Sequence, residues 1–196
     1  MPTIEKICVF CGSSEGNDQA IIDAAVRLGE TFAQREITLV YGAAKIGVMG
    51  IIAKATLDAG GKVTGVIPGF LKKKEVVHLG LTQLITTDNM HERKLRMQEL
   101  SDGFIAMPGG IGTLEELFEI LTWLQLGLHT KPIGLLNING FYNDLLQLLE
   151  TMVRKGFVAM ETYELLLVDT TLHGLLEKMS QFKAPPIPHW LTEERT

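Results

Sequence analysis

Short apolar segments alternate along the chain with longer segments in which apolar residues recur every three or four positions. The clearest example is residues 103–116, GFIAMPGGIGTLEE. Its apolar run at 104–107 predicts a strand buried on both faces, and residues 113–126 predict a helix. The same patterns predict further strands over residues 6–11, 37–41, 62–67, 83–86, 133–136 and 165–168, and further helices over 18–35, 48–58, 90–100, 141–155 and 172–182.

This alternation of strands and helices predicts an α/β fold. We expect a Rossmann-like, doubly wound and mainly parallel sheet with helices on both faces, and a ligand at the carboxyl ends of the strands. The chain has 196 residues and no visible repeat or linker, which predicts a single α/β domain over residues 1–183. The proline-rich residues 184–196 are predicted to form an extended or disordered tail.

The glycine-rich segment after residue 107 is the first candidate for chemistry. Pro108 ends the predicted strand, and three of the next four residues are Gly109, Gly110 and Gly112. Thr113 follows at the predicted helix start. A strand, a glycine loop and a helix start together direct free backbone N–H groups and the helix dipole at an anion. The segment therefore predicts a phosphate site, and a tight turn without a ligand is the alternative.

Two common nucleotide motifs fit this chain poorly. A dinucleotide fingerprint requires GxGxxG after a strand and an acidic residue at the end of the next strand. The loop CGSSEG lacks that spacing, and the second predicted strand ends in Tyr41. A Walker A loop requires lysine after its last glycine, but Val48 follows Gly47 here.

Charged residues flank the glycine loop in sequence. The segment MHERK opens the helix before the loop, and its Arg93 and Lys94 could supply positive charge to a phosphate. Glu115 and Glu116 occupy the first turns of the helix after the loop. Because they point about 100° apart, we expect only one of them to face a ligand directly. A structural role is favoured for His91, since no second histidine has metal-site spacing.

Composition and charge exclude several classes of protein. The net charge of −5 argues against sequence-independent nucleic-acid binding. No apolar stretch approaches the roughly 20 residues of a membrane helix, and the N-terminus lacks a signal-peptide pattern, so a cytoplasmic protein is expected. Cys8 and Cys11 are spaced as CxxC but lie at a predicted strand, which favours buried small residues over a redox pair. Neither a metal site nor a cofactor is predicted.

Two motifs resemble a known family. PGGIGTLEE together with MHERK is similar to the signature of the "lonely guy" (LOG) family, the phosphoribohydrolases that activate cytokinins. The resemblance extends through VFCGSS, VYG, GVIPGFL, LTWLQLGLHTKPIGLLN and GFYNDLL, and only the proline-rich tail falls outside it. Similar sequences often carry the label "lysine decarboxylase". No Schiff-base lysine with a cofactor-positioning acid is recognisable here.

The resemblance implies hydrolysis of the N-glycosidic bond of a nucleoside 5′-monophosphate, with release of a free base and ribose 5-phosphate. It implies that Arg93 and Glu116 are the catalytic pair, and that Ser13 contacts the phosphate. It also implies a homodimer without a cofactor. The implied substrate-binding residues are Glu75, Arg93, Lys94, Gly110, Ile111, Gly112, Thr113, Leu114, Glu115, Glu116 and Thr122.

The chain departs from the family pattern after its second predicted strand. The family commonly has GGG or GGA there, whereas this chain has Gly42, Ala43 and Ala44. If Ala43 adopts a positive φ, we expect a strain of about 1 kcal/mol. The preference between adenine, prenylated adenine and other purines stays open at this point. A non-catalytic nucleotide carrier or sensor on the same fold is the alternative function.

Overall fold

A computed structural model describes residues 4–73 and 77–186. Within them the chain forms one seven-stranded sheet whose pairings are all parallel. The strands are β1 (Lys6–Phe10), β2 (Thr38–Tyr41), β3 (Val63–Pro68), β4 (Gln83–Thr87), β5 (Gly103–Ala106), β6 (Ile133–Leu136) and β7 (Leu166–Asp169). The helices are α1 (Gln19–Gln34), α2 (Gly47–Asp58), α3 (Met90–Leu100), α4 (Ile111–Gln125), α5 (Asn143–Arg154), α6 (Met160–Tyr163) and α7 (Leu172–Gln181).

The order of the strands creates a crevice beside β1. Across the sheet the order is β4-β3-β2-β1-β5-β6-β7, so the first half of the chain builds outward from β1 in one direction and the second half in the other. In the register, Val9 lies opposite Ile105, and Cys8 lies opposite Val40. In open parallel sheets this reversal is where ligands bind, beyond the carboxyl ends of the strands. The predicted fold class is confirmed.

Helices cover both faces of the sheet, as predicted. On one face, side chains such as Val9 and Ile105 pack with Phe32 of α1 into one buried cluster that α2 and α7 also enter. On the other face, Phe10 and Phe104 belong to a second cluster with residues of α3, α4 and α5. Because the central strands are buried on both sides, their sequences are continuous apolar runs instead of alternating ones.

Several predicted boundaries differ from the structure by one or two residues. Helix α4 begins at Ile111 instead of residue 113, since the N–H groups of Thr113 and Leu114 both donate to the Gly110 carbonyl. Cys11 lies just after β1. The short helix α6 was not predicted. The limit of the domain at residue 183 stays a prediction, and residues 187–196 of the proline-rich tail lie outside the described residues. No helix in the described ranges is long and apolar enough to cross a membrane.

The departure from the family pattern has the predicted backbone consequence. Ala43 has φ of +64°, in the left-handed region, and it is fully buried. Its carbonyl accepts a hydrogen bond from the N–H of His78 at 3.1 Å, and Ala44 forms an isolated bridge with Val77. The strained loop after β2 is therefore joined to the segment that leads into β4.

Candidate functional site

A cavity of about 300 Å³ opens at the crevice between the ends of β1 and β5. It lies where the loops after β1, β2 and β5 meet the first turns of α3 and α4. Its walls are formed by Val9, Cys11, Ser13, Gly42, Ala44, Ile46, Met49, Leu71, Met90, Arg93, Met97, Gly110, Ile111, Gly112, Thr113, Glu115 and Glu116. Residues far apart in sequence are thus brought to one place by the parallel sheet.

The glycine loop after β5 is held from two sides. The Gly12 N–H donates to the Pro108 carbonyl at 3.3 Å, and the Tyr142 hydroxyl donates to the Met107 carbonyl at 2.6 Å. Gly109 is required by close packing, because a Cβ there would lie 2.2 Å from Oγ1 of Thr113 and 2.7 Å from the Gly12 nitrogen. The loop is therefore fixed in shape by its neighbours.

Helix α4 starts at this loop without a side-chain cap. Gly110 is its N-cap residue and makes no side-chain hydrogen bond, while Ile111 and Gly112 line the cavity. Uncapped N–H groups and the positive end of the helix dipole favour an anion at this position. The geometry fits a phosphate group.

Arg93 also lines the cavity and bonds with two elements. Its Nε donates to the Val66 carbonyl of β3 at 3.2 Å, and its Nη1 donates to Oε1 of Glu116 at 3.2 Å. The side chains of Arg93 and Glu116 are only 11% and 15% exposed. The guanidinium also occupies the space beside Gly42, where a Cβ would lie 2.1 Å from Nη2. Arg93 is thereby fixed by β3, α4 and the loop after β2.

Glu116 has a perturbed ionisation. Burial raises its pKa above the ordinary value of 4.5, and the positive charge of Arg93 opposes that shift. The negative charges of Glu115 and Glu119 add to the increase, while Lys94 lowers it. A largely buried carboxyl with an arginine partner and a raised pKa is typical of groups that move protons or stabilise charge.

Lys94 bonds with two other carboxylates. Its Nζ lies 2.7 Å from Oε1 of Glu115 and 2.8 Å from Oε1 of Glu119, and its side chain is 12% exposed. Burial by itself would lower the pKa of Lys94, but the hydrogen bonds to these two carboxylates outweigh burial and raise it. Lys94 is therefore a fixed cation below the loop, and Glu119 is a partner that the sequence did not indicate.

An apolar wall completes the cavity. It consists of Ile46 and Met49 at the start of α2, Leu71 after β3 and Met90 at the start of α3, which are three separate segments. None of these residues was predicted as part of a site, because apolar side chains without a common spacing give no sequence signal. Cys11 also lines the cavity, and burial raises the pKa of its thiol. The buried thiols of Cys8 and Cys11 agree with the predicted structural role of the pair.

Comparison with known proteins decides the family. Residues 49–179 match a family described as "Possible lysine decarboxylase". The chain is 46% identical over 177 residues to "Probable cytokinin riboside 5'-monophosphate phosphoribohydrolase LOGL1" of Oryza sativa subsp. japonica, covering 90% of this chain and 79% of the relative. It is 44% identical to "Cytokinin riboside 5'-monophosphate phosphoribohydrolase LOG3" of Arabidopsis thaliana, covering 90% and 82%. This chain belongs to the LOG family.

Solved structures support the fold of this LOG-family chain. The molybdenum cofactor binding protein of Rippkaea orientalis matches with a TM-score of 0.68 at 21% identity, over 91% of this chain and 97% of that protein. A second structure, the molybdenum cofactor carrier protein of Chlamydomonas reinhardtii, has a TM-score of 0.65 at 20% identity, over 91% and 98%. At these identities the likeness shows the fold alone.

The structure brings most of the predicted site residues of this LOG-family chain together. Leu114 and Thr122 are not among the residues that line the cavity; Leu114 packs into the core, and the exposed Thr122 donates its hydroxyl to the Phe118 carbonyl. Glu75 lies outside the described residues. His91 is exposed on α3, and no group of three or more metal-ligating side chains occurs in the described ranges. The binding and catalytic roles of all the predicted site residues, including Glu75, Leu114 and Thr122, stay predictions. The residues gathered at the cavity or directly beside it are Arg93, Lys94, Gly110, Ile111, Gly112, Thr113, Glu115 and Glu116.

Proposed function

We propose that this protein hydrolyses the N-glycosidic bond of adenosine 5′-monophosphates, including N6-substituted ones, and releases the free base and ribose 5-phosphate. The names of its LOG-family relatives, which describe cytokinin riboside 5′-monophosphate phosphoribohydrolases, support this proposal. The observation that carries it is the buried Arg93–Glu116 pair at 3.2 Å, which lines the same cavity as an uncapped glycine loop. The substrate thus meets an anion site and a carboxyl in one cavity.

In the proposed reaction, binding of the phosphate positions the substrate. The backbone of Gly110, Ile111 and Gly112 and the Thr113 hydroxyl bind the 5′-phosphate, which orients the ribose. Bond breaking between C1′ and the base leaves the electron pair on the base and positive charge on the ribose. The Glu116 carboxylate stabilises that charge and accepts a proton from the attacking water, whose oxygen bonds to C1′, and the departing base takes up a proton from solvent. Arg93 holds Glu116 in place, and its positive charge favours departure of the base by stabilising the electron pair left on it.

Three further features belong to the same proposal. We propose that the protein acts in the cytoplasm, binds no nucleic acid and forms a homodimer. Exposed apolar side chains support the dimer, since Ile111 is 88% exposed and Phe157 is 84% exposed. Light scattering in solution is expected to give twice the mass of one chain. A monomeric mass at concentrations used for assay would contradict the homodimer.

The experiment that tests the reaction is the variant Glu116→Gln. Incubation of the wild-type protein with AMP or prenyl-AMP, followed by chromatography, is expected to yield free base. Glu116→Gln is expected to lose at least about a hundredfold in turnover while it keeps a cooperative unfolding transition and binds AMP. Glu99→Gln is the matched control, because Glu99 pairs with Arg96 on the surface of α3.

The same assay separates this proposal from the alternative of a carrier or sensor. A carrier would bind AMP in proportion to its concentration and release no free base on any time scale. Wild-type turnover in Glu116→Gln would remove Glu116 from the mechanism. A panel of AMP, prenyl-AMP, GMP and CMP, each with and without the phosphate, resolves the base preference and measures the contribution of the phosphate.

A further inference from the structure

Two cations and three carboxylates meet between α3 and α4. Arg93 and Lys94 are adjacent on α3, and Glu115, Glu116 and Glu119 lie on the first turns of α4. The hydrogen bonds sort them into separate groups. Arg93 bonds with Glu116, whereas Lys94 bonds with Glu115 and Glu119.

Helix geometry explains this sorting. Glu115 and Glu119 are four residues apart and so lie on one face of α4, while Glu116 is rotated by about 100° from Glu115. Lys94 reaches the face of α4 that carries Glu115 and Glu119. Its Nζ lies at nearly equal distances from both, 2.7 Å and 2.8 Å.

Glu119 lies close enough to the cavity to influence Glu116. Lys94, Glu116 and Glu119 border one small gap below the site. The same gap is closed by the apolar side chains of Phe10, Met97 and Ile120. Charges beside such an apolar floor interact more strongly than charges in water. If Glu119 lost its charge, Lys94 would keep Glu115 as its hydrogen-bonded carboxylate, and Glu116 borders the same gap as the ammonium.

We propose that Glu119 is a positioning residue for the reaction, because it holds Lys94 away from Glu116 and leaves Arg93 as the hydrogen-bonding cation of that carboxyl. This inference rests on the proposed role of Glu116. Both effects of Glu119 act in one direction. Its own charge repels a second negative charge on Glu116, and its bond to Lys94 keeps the ammonium from stabilising that charge more strongly.

The other groups that face Glu116 do not take over this role. From α3 these are Arg93 and Lys94, from α4 they are Glu115 and Glu119, and from β1 and the residue after it they are the thiols of Cys8 and Cys11. Burial raises the pKa of both thiols, so they stay neutral. Glu115 also bonds with Lys94, and its charge also raises the pKa of Glu116, but its side chain is 52% exposed against 21% for Glu119, so solvent screens it more strongly.

The variant Glu119→Gln tests the proposal through the pH dependence of kcat/KM for AMP. If Glu116 acts in its ionised form, activity falls at low pH as the carboxyl is protonated. We call this fall in kcat/KM at low pH the acid limb. In Glu119→Gln the acid limb is expected to move to lower pH by about half a unit or more. Glu99→Gln removes one charge from the exposed face of α3 and is expected to leave the limb in place. A Glu119→Gln profile that superimposes on the wild type overturns the proposal.

The variant Lys94→Met supplies an independent test with the opposite sign. It removes a positive charge near Glu116 and leaves Glu119 without its cation, so the acid limb is expected to move to higher pH. The double variant Lys94→Met/Glu119→Gln is expected to fall between the two. Shifts of both single variants in the same direction overturn the proposal. A general loss of stability would lower activity at all pH values without moving the limb.

Failure of this inference can be told apart from failure of the proposed function. If Glu116→Gln stays active, the proposed role of Glu116 is wrong. If Glu116→Gln is inactive and the acid limb of Glu119→Gln does not move, only the role of Glu119 is wrong. Lys94→Met gives the same distinction should Glu119→Gln fail to fold.

Discussion

Gly42 and Arg93 occupy adjoining space so closely that a side chain at position 42 would have to displace the guanidinium. A Cβ there would lie 2.1 Å from Nη2 of Arg93 and 2.6 Å from the terminal methyl of Met49. The same guanidinium donates from Nη1 to Glu116 and from Nε to the Val66 carbonyl of β3. The glycine after β2 therefore sets the position of a charged group that comes from a different part of the chain.

Replacing this glycine tests that relationship. Gly42→Ala is expected to displace the Arg93 guanidinium and to lower kcat/KM for AMP by about tenfold to a hundredfold. Its thermal stability should change far less, since a flexible side chain can move aside. The control is Gly69→Ala, where a Cβ would have its nearest contact at an ordinary 3.7 Å. Full activity in Gly42→Ala would show that the position of Arg93 does not matter.

Ala43 offers a prediction about stability. Its φ of +64° disfavours any residue with a Cβ, so Ala43→Gly is expected to raise the free energy of unfolding by up to about 1 kcal/mol. Burial of the lost methyl group and the greater freedom of glycine in the unfolded chain offset part of this gain. Urea denaturation of the two proteins measures the difference. A large loss of stability would mean that the alanine methyl contributes more by packing than the backbone costs.

Tyr142 connects α5 to the glycine loop. Its hydroxyl is buried and donates to the Met107 carbonyl at 2.6 Å. Tyr142→Phe is expected to lower the free energy of unfolding by about 1–2 kcal/mol, because that carbonyl loses a buried partner. The matched control is Tyr163→Phe, whose hydroxyl makes only a long contact of 3.5 Å to Glu150 in an exposed setting. Equal stability of the two variants would contradict the prediction.

Glu116 is expected to lower the free energy of unfolding in the pH range in which its carboxyl is ionised. Because burial raises its pKa in the folded state, the folded protein keeps the proton to a higher pH than the unfolded chain. Stability is therefore lost as pH rises from the unfolded value through the folded one. Glu116→Gln has no carboxyl at this position, so it does not lose this stability as pH rises. Its stability relative to wild type is expected to be greater near pH 7 than at about pH 4, measured by urea denaturation. An unchanged difference between the two pH values would contradict the raised pKa.

The features that sequence predicts well are local ones. The apolar run of β5, the glycines after it and the start of α3 at Met90 all depend on neighbouring residues. The Asn89 side chain accepts from the Glu92 N–H at 2.9 Å, as expected of an N-cap. Family resemblance then placed Arg93 and Glu116 in one site, and the structure brings them within hydrogen-bond distance.

The features that sequence missed depend on contacts between distant segments. Arg93 bonds with the carbonyl of Val66, and no property of a residue predicts a backbone partner 27 positions away. Glu119 gave no signal, because an acidic residue on a helix is ordinarily solvated. The apolar wall of the cavity was also missed, because its residues are distant in sequence and come together only in the folded chain. Sequence thus indicated the chemical groups but not what holds them.

All seven described strands point their carboxyl ends at the same edge of the sheet, which leaves the opposite edge without a part in the chemistry. The turn at Gly60 lies on that opposite edge, between α2 and β3, and has open space around it. A fluorescent label, a surface anchor or a fused domain attached there would lie on the far side of the molecule from the cavity. Such an attachment would let the enzyme be tracked or immobilised while it stays active.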